Sequence, residues 1–271
     1  MLRRFLAALI TLVALASPAS PVTAQSAPND CGRVVILLAG YNTSSADVPG
    51  VFSQVVSDVT SRLDYVHTVR FSYSFPTTYS AGATYTALPS LAVDALHRTV
   101  ASELLRCPDA PIYLIGHSLG GVVALRYVAL YGAVPEGAHI RHVITLDSPV
   151  NGTSHDRLVF AASALDERRL VGSPTGVYLA AQHRDHTLRA ANVALAARLA
   201  PQTLITTLAS TDDWIVPAGD ATIAGYSRQF HLGRNYAACT RGLSAVPSCL
   251  GHDRILHSAT ALAAMRSALS R

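Results

Sequence analysis

The stretch PIYLIGHSLGGVVALRY, residues 111–127, determines how this chain folds. It opens with an apolar, β-rich run typical of a buried strand and closes with apolar residues at helical spacing. Between the two stands the pattern Gly-x-Ser-x-Gly at 116–120, which is a weak signal by itself. A strand running directly into the pattern and a helix running directly out are the context in which it exposes a serine hydroxyl on a sharp turn. We therefore predict that Ser118 stands on such a turn, where side chains at Gly116 and Gly120 would collide with neighbouring backbone.

The rest of the chain alternates between strand-like and helix-like segments. The predicted strands are 34–38, 67–73, 112–115, 142–146, 204–208 and 226–232, and the predicted helices are 50–63, 88–105, 119–131 and 254–269. Alternation of this kind predicts an α/β fold with a mainly parallel, doubly wound sheet covered by helices on both faces. The strands read as continuous apolar runs, as expected when both faces of a sheet are buried.

One segment breaks the alternation. Residues 150–201 are rich in alanine and mostly helical, with a Gly-Ser-Pro-Thr-Gly interruption at 172–176. We interpret this segment as a helical insertion, or cap, over the carboxyl edge of the sheet. It could be a mobile lid or a fixed cap. The interruption favours two helical pieces and a fixed cap.

Composition excludes several classes of protein. Of 271 residues, 50% are hydrophobic and 14% are charged, which excludes a disordered or fibrous chain and allows one domain with a large core. The formal net charge is +4, and Arg3 and Arg4 supply two of those charges. The remaining excess is too small to indicate nucleic-acid binding.

The N-terminus has the features of a signal peptide. Residues 1–4 are a short basic start, 5–16 are almost entirely apolar, and the segment ends in a small-x-small sequence at Ala24. The apolar run is shorter than the roughly 20 residues that span a bilayer, so a retained membrane anchor is the weaker alternative. We predict a signal peptide at 1–24 and a single domain at 25–271, secreted to the extracellular space or the periplasm, without stable membrane insertion.

Four cysteines in an exported chain are expected to pair. Cys31 and Cys107 each stand shortly before a predicted strand, and neighbouring parallel strands would bring them to the same edge of the sheet. Cys239 and Cys249 are close in sequence. We predict the pairs 31–107 and 239–249. Free buried thiols are the alternative.

The serine turn within this alternation resembles the α/β-hydrolase superfamily. The chain is similar to small secreted bacterial lipases and esterases with a Gly-His-Ser-Leu-Gly-Gly turn, from Val34 to the C-terminus and most weakly over 150–200. The resemblance implies that a serine, an acid and a histidine follow in that chain order. Each should lie on a loop at the carboxyl edge of the sheet, with Ser118 as the nucleophile.

The resemblance also selects the acid. The strand predicted at 204–208 leads into a loop in which Asp213 has the family spacing Asp-x-x-Val-Pro. The neighbouring Asp212 is the second choice, expected as a turn or capping residue. Asp147 also ends a predicted strand, and some lipases have their acid there. Its expected role is to hold the active-site loops by hydrogen bonds.

The base must be a histidine after the acid. His252, in a loop before the C-terminal helix, matches the position of the family's histidine. His231 should lie inside a strand and His257 on the last helix, which makes them the alternatives. His117 is adjacent to the nucleophile, and we expect it to pack or to form hydrogen bonds elsewhere.

Two backbone N–H groups should stabilise a developing oxyanion. The first belongs to Leu119, the residue after the nucleophile. The second should follow the first strand, where relatives commonly have His-Gly-x and this chain has Ala39-Gly40-Tyr41, so we assign it to Tyr41. Five aromatic residues could line a substrate pocket or belong to core and rim, and both interpretations stay open: Phe71, Tyr73, Phe75, Tyr79 and Tyr85.

These residues predict a secreted serine hydrolase that cleaves carboxylic esters, lipid-like or otherwise apolar, through an acyl-enzyme. Acyl transfer to an acceptor other than water would use the same residues. A non-catalytic binding protein on the hydrolase scaffold is the alternative from a different class. We expect no cofactor, no metal and no nucleic-acid partner. The expected partner is an ester or lipid substrate, and the chain is expected to be a monomer.

Overall fold

The sheet at the centre of the molecule contains six parallel strands. A computed structural model describes residues 32–62, 66–164, 169–233 and 251–270. The strands are β1 (Arg33–Leu38), β2 (Val66–Arg70), β3 (Ile112–His117), β4 (Ile140–Leu146), β5 (Leu204–Ser210) and β6 (Ser227–Phe230). Their order is β2-β1-β3-β4-β5-β6, and every neighbouring pair is parallel. The predicted fold class is confirmed, with β3 inside the sheet.

Helices flank this sheet. They are α1 (Val48–Val51), α2 (Ser53–Arg62), α3 (Leu91–Arg106), α4 (Leu119–Tyr131), α5 (His155–Ala164), α6 (Arg169–Gly172), α7 (Pro174–Arg184), α8 (Leu188–Leu199), α9 (Ala218–Ala221) and α10 (Ala259–Leu269). Short 3-10 helices occupy Ala81–Thr86, Gly137–His139 and Arg254–Leu256. The chain adds β2 on one side of β1 and then returns to add β3 on the other side. Because crossovers between parallel strands are right-handed, this reversal puts α2 on one face of the sheet and α3 and α4 on the other. Contacts between α10 and α2 and between α3 and α4 agree with this arrangement.

The inner strands are buried on both faces, as their continuous apolar sequences predict. Every residue at 34–38 of β1 is at most 1% exposed, and all of β3 is buried. The edge strand β2 is half-buried and ends at Arg70, short of the predicted end at 73. Phe71 and Tyr73 are nevertheless buried, because the chain turns into the core after the strand ends. Their apolar character therefore reflects core packing rather than strand structure.

The last helix begins later than predicted. Helix α10 starts at Ala259, and the Oγ of Ser258 caps it by accepting a hydrogen bond from the N–H of Ala261. Serine is a preferred N-cap because it satisfies an unpaired amide of the first turn. His257 therefore precedes the helix instead of lying on it.

The described part of the segment between β4 and β5, which leaves out 165–168, contains four helices. Helix α8 contacts β5 and serves as the crossover that two parallel strands need. Helices α5, α6 and α7 pack on one another, and we call these three helices the cap. The interruption predicted at 172–176 is the start of α7, where Pro174 stands in the first turn and the Oγ of Ser173 accepts a hydrogen bond from the Gly176 N–H. Proline and serine are typical of helix starts, so the sequence here marks a boundary and not a long break.

Several predictions concern residues outside the described ranges. The signal peptide at 1–24 lies there, as do Cys31, Cys239 and Cys249. Cys107 is buried and is not a free thiol. The two pairings stay predictions. Over the ranges that the structure describes, no helix is both long enough and apolar enough to cross a membrane.

Candidate active site

Ser118 occupies the sharp turn between β3 and α4. Its backbone has φ 53° and ψ −125°, a conformation that side-chain-bearing residues rarely adopt. A Cβ on Gly116 would overlap the backbone of Gly121, and a Cβ on Gly120 would overlap the carbonyl of Leu38. The two glycines are therefore required by the close approach of backbone around the serine, as the sequence predicts.

Asp213 and His252 form a buried hydrogen-bonded pair. The distance from His252 Nδ1 to Asp213 Oδ2 is 2.6 Å, and each residue is 5% exposed. The other oxygen of the carboxylate, Oδ1, accepts the N–H groups of Ile215 and Val216 at 2.8 and 3.0 Å. Because Nδ1–H donates to the carboxylate, the lone pair of the neutral ring is on Nε2. This arrangement orients a histidine as a base.

Ser118 and His252 border the same cavity. No hydrogen bond joins their side chains in the part of the chain that the structure describes. Hydrogen bonds between a nucleophile and its base are often long without substrate and tighten in the substrate complex. The structure thus brings the predicted serine and histidine to one cavity without closing the contact between them.

Asp213 and burial act in opposite directions on the pKa of His252. Burial lowers it, but the charge and the hydrogen bond of Asp213, helped by Asp253, outweigh burial and raise that pKa to about 9. The neighbouring His117 behaves in the opposite way. Burial and the proximity of His252 hold the pKa of His117 well below its usual value, so His117 is neutral.

His117 contacts the loop that contains His252 and does not take the place of His252. Its Nε2 is 3.2 Å from the backbone oxygen of His252, and the two rings have centroids 4.7 Å apart. His117 is 4% exposed. The side chain therefore has the hydrogen-bonding and packing role that the sequence suggests.

The second-choice acid Asp212 and the alternative bases His231 and His257 lie elsewhere. His231 is just beyond β6, its side chain is 84% exposed, and its Nδ1 is 2.9 Å from Asp212 Oδ1. His257 is exposed. Neither these histidines nor Asp212 borders the cavity that contains Ser118. Asp212 and His231 form a separate surface pair.

Asp147 lies beside the buried pair and is itself 0% exposed. It follows β4 directly, with φ 43°. Its Oδ1 accepts the N–H of Ser210 at 2.5 Å, which ties the ends of β4 and β5 together. Its Oδ2 is buried and has no hydrogen-bond partner among the described residues. Burial, followed by the charge of Asp213, raises the pKa of Asp147 well above its usual value.

Asp147, Asp213 and His252 are also the group that most nearly has metal-binding geometry. One oxygen of each carboxyl and one ring nitrogen lie within 4.8 Å of one another. However, Nδ1 of His252 and Oδ2 of Asp213 are 2.6 Å apart. Ligands bound to one zinc ion at about 2.0–2.2 Å in a tetrahedral site are farther apart than that. The geometry is that of a hydrogen bond.

The predicted oxyanion site is next to Ser118. Gly40, Tyr41 and Leu119 border the cavity together with the serine. A Cβ added to Gly40 would be 2.8 Å from the Cβ of Ser118, so the chain after β1 passes directly against the nucleophile. This loop continues into Asn42, which has φ 57°. The backbone after β1 and the start of α4 thus face the same region of the cavity.

Two side chains hold this loop, a role that the sequence did not predict for either of them. The hydroxyl of Tyr73 donates to the carbonyl of Ala39 at 2.6 Å, and the hydroxyl of Thr43 donates to the carbonyl of Gly40 at 2.7 Å. The aromatic residues around Tyr73 belong to core and rim, since none of the five borders the cavity. Their crowding was visible in the sequence, but which hydroxyl reaches the loop depends on the tertiary fold.

The cavity has a volume of about 500 Å³, within the usual range of small-molecule sites. Its apolar side comes from the cap and from the loop after Asp213: Leu158, Ala161, Leu170, Leu179, Ile215 and Val216. Its polar side includes Asn42, Thr43, Asp47 and Arg157. Ser118 therefore lies between an apolar part of the cavity, which we call the acyl chamber, and a polar side.

The parallel sheet and the groups at its carboxyl edge define an α/β-hydrolase fold. The chain belongs to the alpha/beta hydrolase fold family, whose model matches residues 34–271. Membership of this family supports a hydrolase. A search of the curated proteins finds no match.

Solved structures resemble this chain at low sequence identity. The product of gene lin2722 from Listeria innocua is 12% identical, with a TM-score of 0.51 over 89% of this chain and 94% of that one. A lipase-esterase related protein from Clostridium acetobutylicum is 11% identical, with a TM-score of 0.45 over 83% and 96% of the two chains. An esterase from Exiguobacterium antarcticum is 15% identical, with a TM-score of 0.42 over 73% and 82%. Of these three, the likeness to the Listeria innocua protein, with a TM-score above 0.5, shows the fold alone.

Proposed function

We propose that this protein is a secreted serine hydrolase that cleaves carboxylic esters with an apolar acyl group. The observation that carries the proposal is the buried hydrogen bond between Asp213 and His252 beside a cavity that also contains Ser118. A serine hydroxyl is a weak nucleophile at neutral pH, and a histidine held by a carboxylate is the arrangement that activates it.

The proposed reaction has two steps. Ser118 Oγ attacks the ester carbonyl while Nε2 of His252 accepts its proton, and the charge of Asp213 stabilises the resulting imidazolium. The N–H groups of Tyr41 and Leu119 stabilise the oxyanion. The tetrahedral intermediate then expels the alcohol, which takes the proton from His252. Water, activated by the same histidine, releases the acid from the acyl-enzyme.

The shape of the cavity supports an apolar acyl group. Leu158, Ala161 and Leu170 of the cap face the same space as Ser118 and present no hydrogen-bonding side chain to a substrate. Burial of each methylene group of an acyl chain contributes about 0.8 kcal/mol. Esters with a chain long enough to fill this chamber should therefore bind better than acetates.

Labelling with a fluorophosphonate probe tests the proposal. The wild-type protein should be labelled covalently at Ser118, and Ser118→Ala should not be labelled. Both should then be assayed on p-nitrophenyl esters of two to sixteen carbons. An unlabelled, inactive but folded wild-type protein would support the non-catalytic binding alternative. Product analysis with added alcohol separates hydrolysis from acyl transfer.

Secretion is a separate part of the proposal. It rests on the basic start, the apolar run and the cleavage-like sequence before Gln25. Mass spectrometry of the exported protein should find a mature chain that begins near Gln25. An intact chain retained with the cells would contradict the signal-peptide interpretation.

A further inference from the structure

The geometry points to Asp147 as a second acid of this site, a positioning residue that can bind His252 when Asp213 cannot. This inference rests on the proposed function, because it assigns a role within the same reaction. It goes beyond the role that the sequence suggests for Asp147, which is to hold the active-site loops by hydrogen bonds. In the wild-type protein, Asp147 is the protonated partner and Asp213 the ionised one.

Asp147 lies between the loop of Ser118 and the loop of Asp213. Strand β4 lies between β3 and β5, so the residue after it stands between the loops of Ser118 and Asp213. One oxygen of Asp147 lies within 4.8 Å of both Asp213 and His252. A rotation of the imidazole ring could therefore exchange one carboxyl for the other.

The second carboxyl oxygen of Asp147, Oδ2, is not needed for the contact between the strands. Tying β5 to β4 requires only Oδ1, which accepts the Ser210 N–H at 2.5 Å. Oδ2 is completely buried without a partner among the described residues, although buried polar atoms are rarely left unpaired. An amide in the same place could accept the Ser210 hydrogen bond without a second ionisable group. The carboxyl thus supplies something that the strand contact does not need.

The surrounding charges decide which carboxyl is ionised. The titratable groups that face Asp147 are Asp213, His252 and Asp253, and the ring of His117 packs against that of His252 with centroids 4.7 Å apart. Asp213 has three hydrogen-bond donors, whereas Asp147 has one. Two carboxyls this close do not both ionise readily, and the better-solvated one keeps the charge. Burial and the Asp213 charge accordingly raise the pKa of Asp147.

Removing the charge of Asp213 should therefore transfer the acid role. In Asp213→Asn, the repulsion on Asp147 disappears while the attraction of a protonated His252 persists. Asp147 can then ionise and stabilise the imidazolium that forms when Ser118 is deprotonated. The variant should keep a residual activity that depends on Asp147.

A double-mutant cycle tests this role. Asp147→Asn preserves the acceptor for Ser210 and should lower kcat/KM for p-nitrophenyl acetate by about threefold. Asp213→Asn should lower it by about 100-fold, less than the roughly 10⁴-fold expected where no other acid can substitute. The double variant should be at least about tenfold below Asp213→Asn, beyond the product of the single effects. Asp109→Asn, which removes an exposed carboxylate outside the cavity, is the matched control and should leave kcat/KM unchanged.

The pH profile and the infrared spectrum separate this role from a structural one. kcat/KM should increase with pH in both variants as His252 loses its proton. This increase should occur at higher pH in Asp213→Asn than in the double variant, because only Asp213→Asn keeps a carboxylate near His252. The wild-type protein at neutral pH should show the carbonyl stretch of a protonated carboxyl. A difference spectrum against Asp213→Asn should show that this band disappears, a measurement that does not require a folded Asp147 variant.

Each outcome supports or overturns the proposal. Equal activities of Asp213→Asn and the double variant would overturn it, as would a loss in Asp147→Asn as large as that in Asp213→Asn. If the Asp147 variants do not fold, a protonated-carboxyl band that is absent from the wild type or persists in Asp213→Asn overturns it. Failure of the proposed function is distinguishable, since the wild-type protein would then neither cleave esters nor react with the fluorophosphonate.

Discussion

At the carboxyl edge of the sheet, Ser118, Asp147 and Asp213 follow shortly after buried strands, whereas the cap reaches the same cavity with side chains from helices. The first group is positioned by the hydrogen bonds of parallel strands, which leave little freedom in the backbone. The cap is positioned by helix packing and by a small number of buried polar contacts. Under the proposed function, this contrast predicts that the sheet edge sets the reaction and the cap sets which acyl group fits.

The polar contacts of the cap favour a fixed position over a mobile lid. Thr175 of α7 is 0% exposed, and its hydroxyl donates to the carbonyl of Thr84 at 2.9 Å and accepts the Leu88 N–H at 3.3 Å. At the other end of the helix, His183 is 3.4 Å from Asp220, which follows β5. Opening the cap would break these contacts and expose the groups that make them.

The largest effect should follow from changes at the sheet edge. Ser118→Ala and His252→Ala should each lower kcat by about four to six orders of magnitude, because the groups act as one unit. The double variant should be scarcely worse than either single variant. Stopped-flow or overnight ester assays measure the rates, and thermal melting checks that the fold is intact.

His257→Ala is the control for this prediction, since His257 is exposed and outside the cavity. It should retain wild-type turnover. Loss of turnover in His257→Ala but not in His252→Ala would show that the base is His257.

A pH dependence should be the next largest effect, and it also belongs to the sheet edge. The base must be neutral to accept a proton, and the Asp213 charge raises the pKa of His252 to about 9 against the effect of burial. kcat/KM should therefore rise with pH, about tenfold per unit, until it levels off above that pKa. Asp213→Asn should move the rise to lower pH. A wild-type rise near the ordinary histidine pKa would mean that the charge of Asp213 does not act on His252.

Changes in the cap should alter substrate preference and not the chemistry. Ala161 on α5 is 3% exposed and borders the cavity, whereas Ser163 on the same helix is exposed and does not border it. Ala161→Phe should lower kcat/KM for p-nitrophenyl octanoate about tenfold, with a smaller loss on the acetate, because overpacking costs about 1–3 kcal/mol. Ser163→Phe, which adds the same ring at a small exposed residue, should not change the chain-length profile. Equal losses on all esters would show that α5 does not line the acyl chamber.

The smallest effect should come from the contact that holds the cap. Thr175→Val preserves shape but leaves the Thr84 carbonyl and the Leu88 amide unpaired, which should lower the free energy of unfolding by about 1–3 kcal/mol. Thr60→Val, which removes an exposed hydroxyl on α2, should change it by less than about 0.5 kcal/mol. Urea unfolding measures both.

Wild-type rates on tributyrin should rise smoothly through its solubility limit, and a jump there would favour a mobile lid.

The sequence was most informative where a residue's role depends on neighbours in the chain. The sharp turn at Ser118 could be predicted because a strand, two glycines and a helix are all within one short stretch. Asp147 was recognised as the end of a strand, but its unpartnered oxygen depends on three loops meeting. Tyr73 was read as one of five aromatic residues, because no spacing shows that its hydroxyl reaches the carbonyl of Ala39. Local pattern thus predicts the strand ends, whereas the contacts across the sheet edge require the tertiary structure.

The backbone around the cavity has a consequence for thermal adaptation. Among the described residues, Asn42, Ser118 and Asp147 have φ between 43° and 57° and carry side chains, and they follow the adjacent strands β1, β3 and β4. Conformations of this kind cost about 1–3 kcal/mol each. Glycine would relieve that strain, but at Asp147 it would also remove the acceptor of the Ser210 N–H that ties β4 to β5. At Ser118, whose side chain makes no such contact between strands, selection for heat resistance alone should favour glycine. The gain in melting temperature there would remove the hydroxyl on which the proposed function depends, so selection for heat resistance and selection for turnover act in opposite directions at this residue.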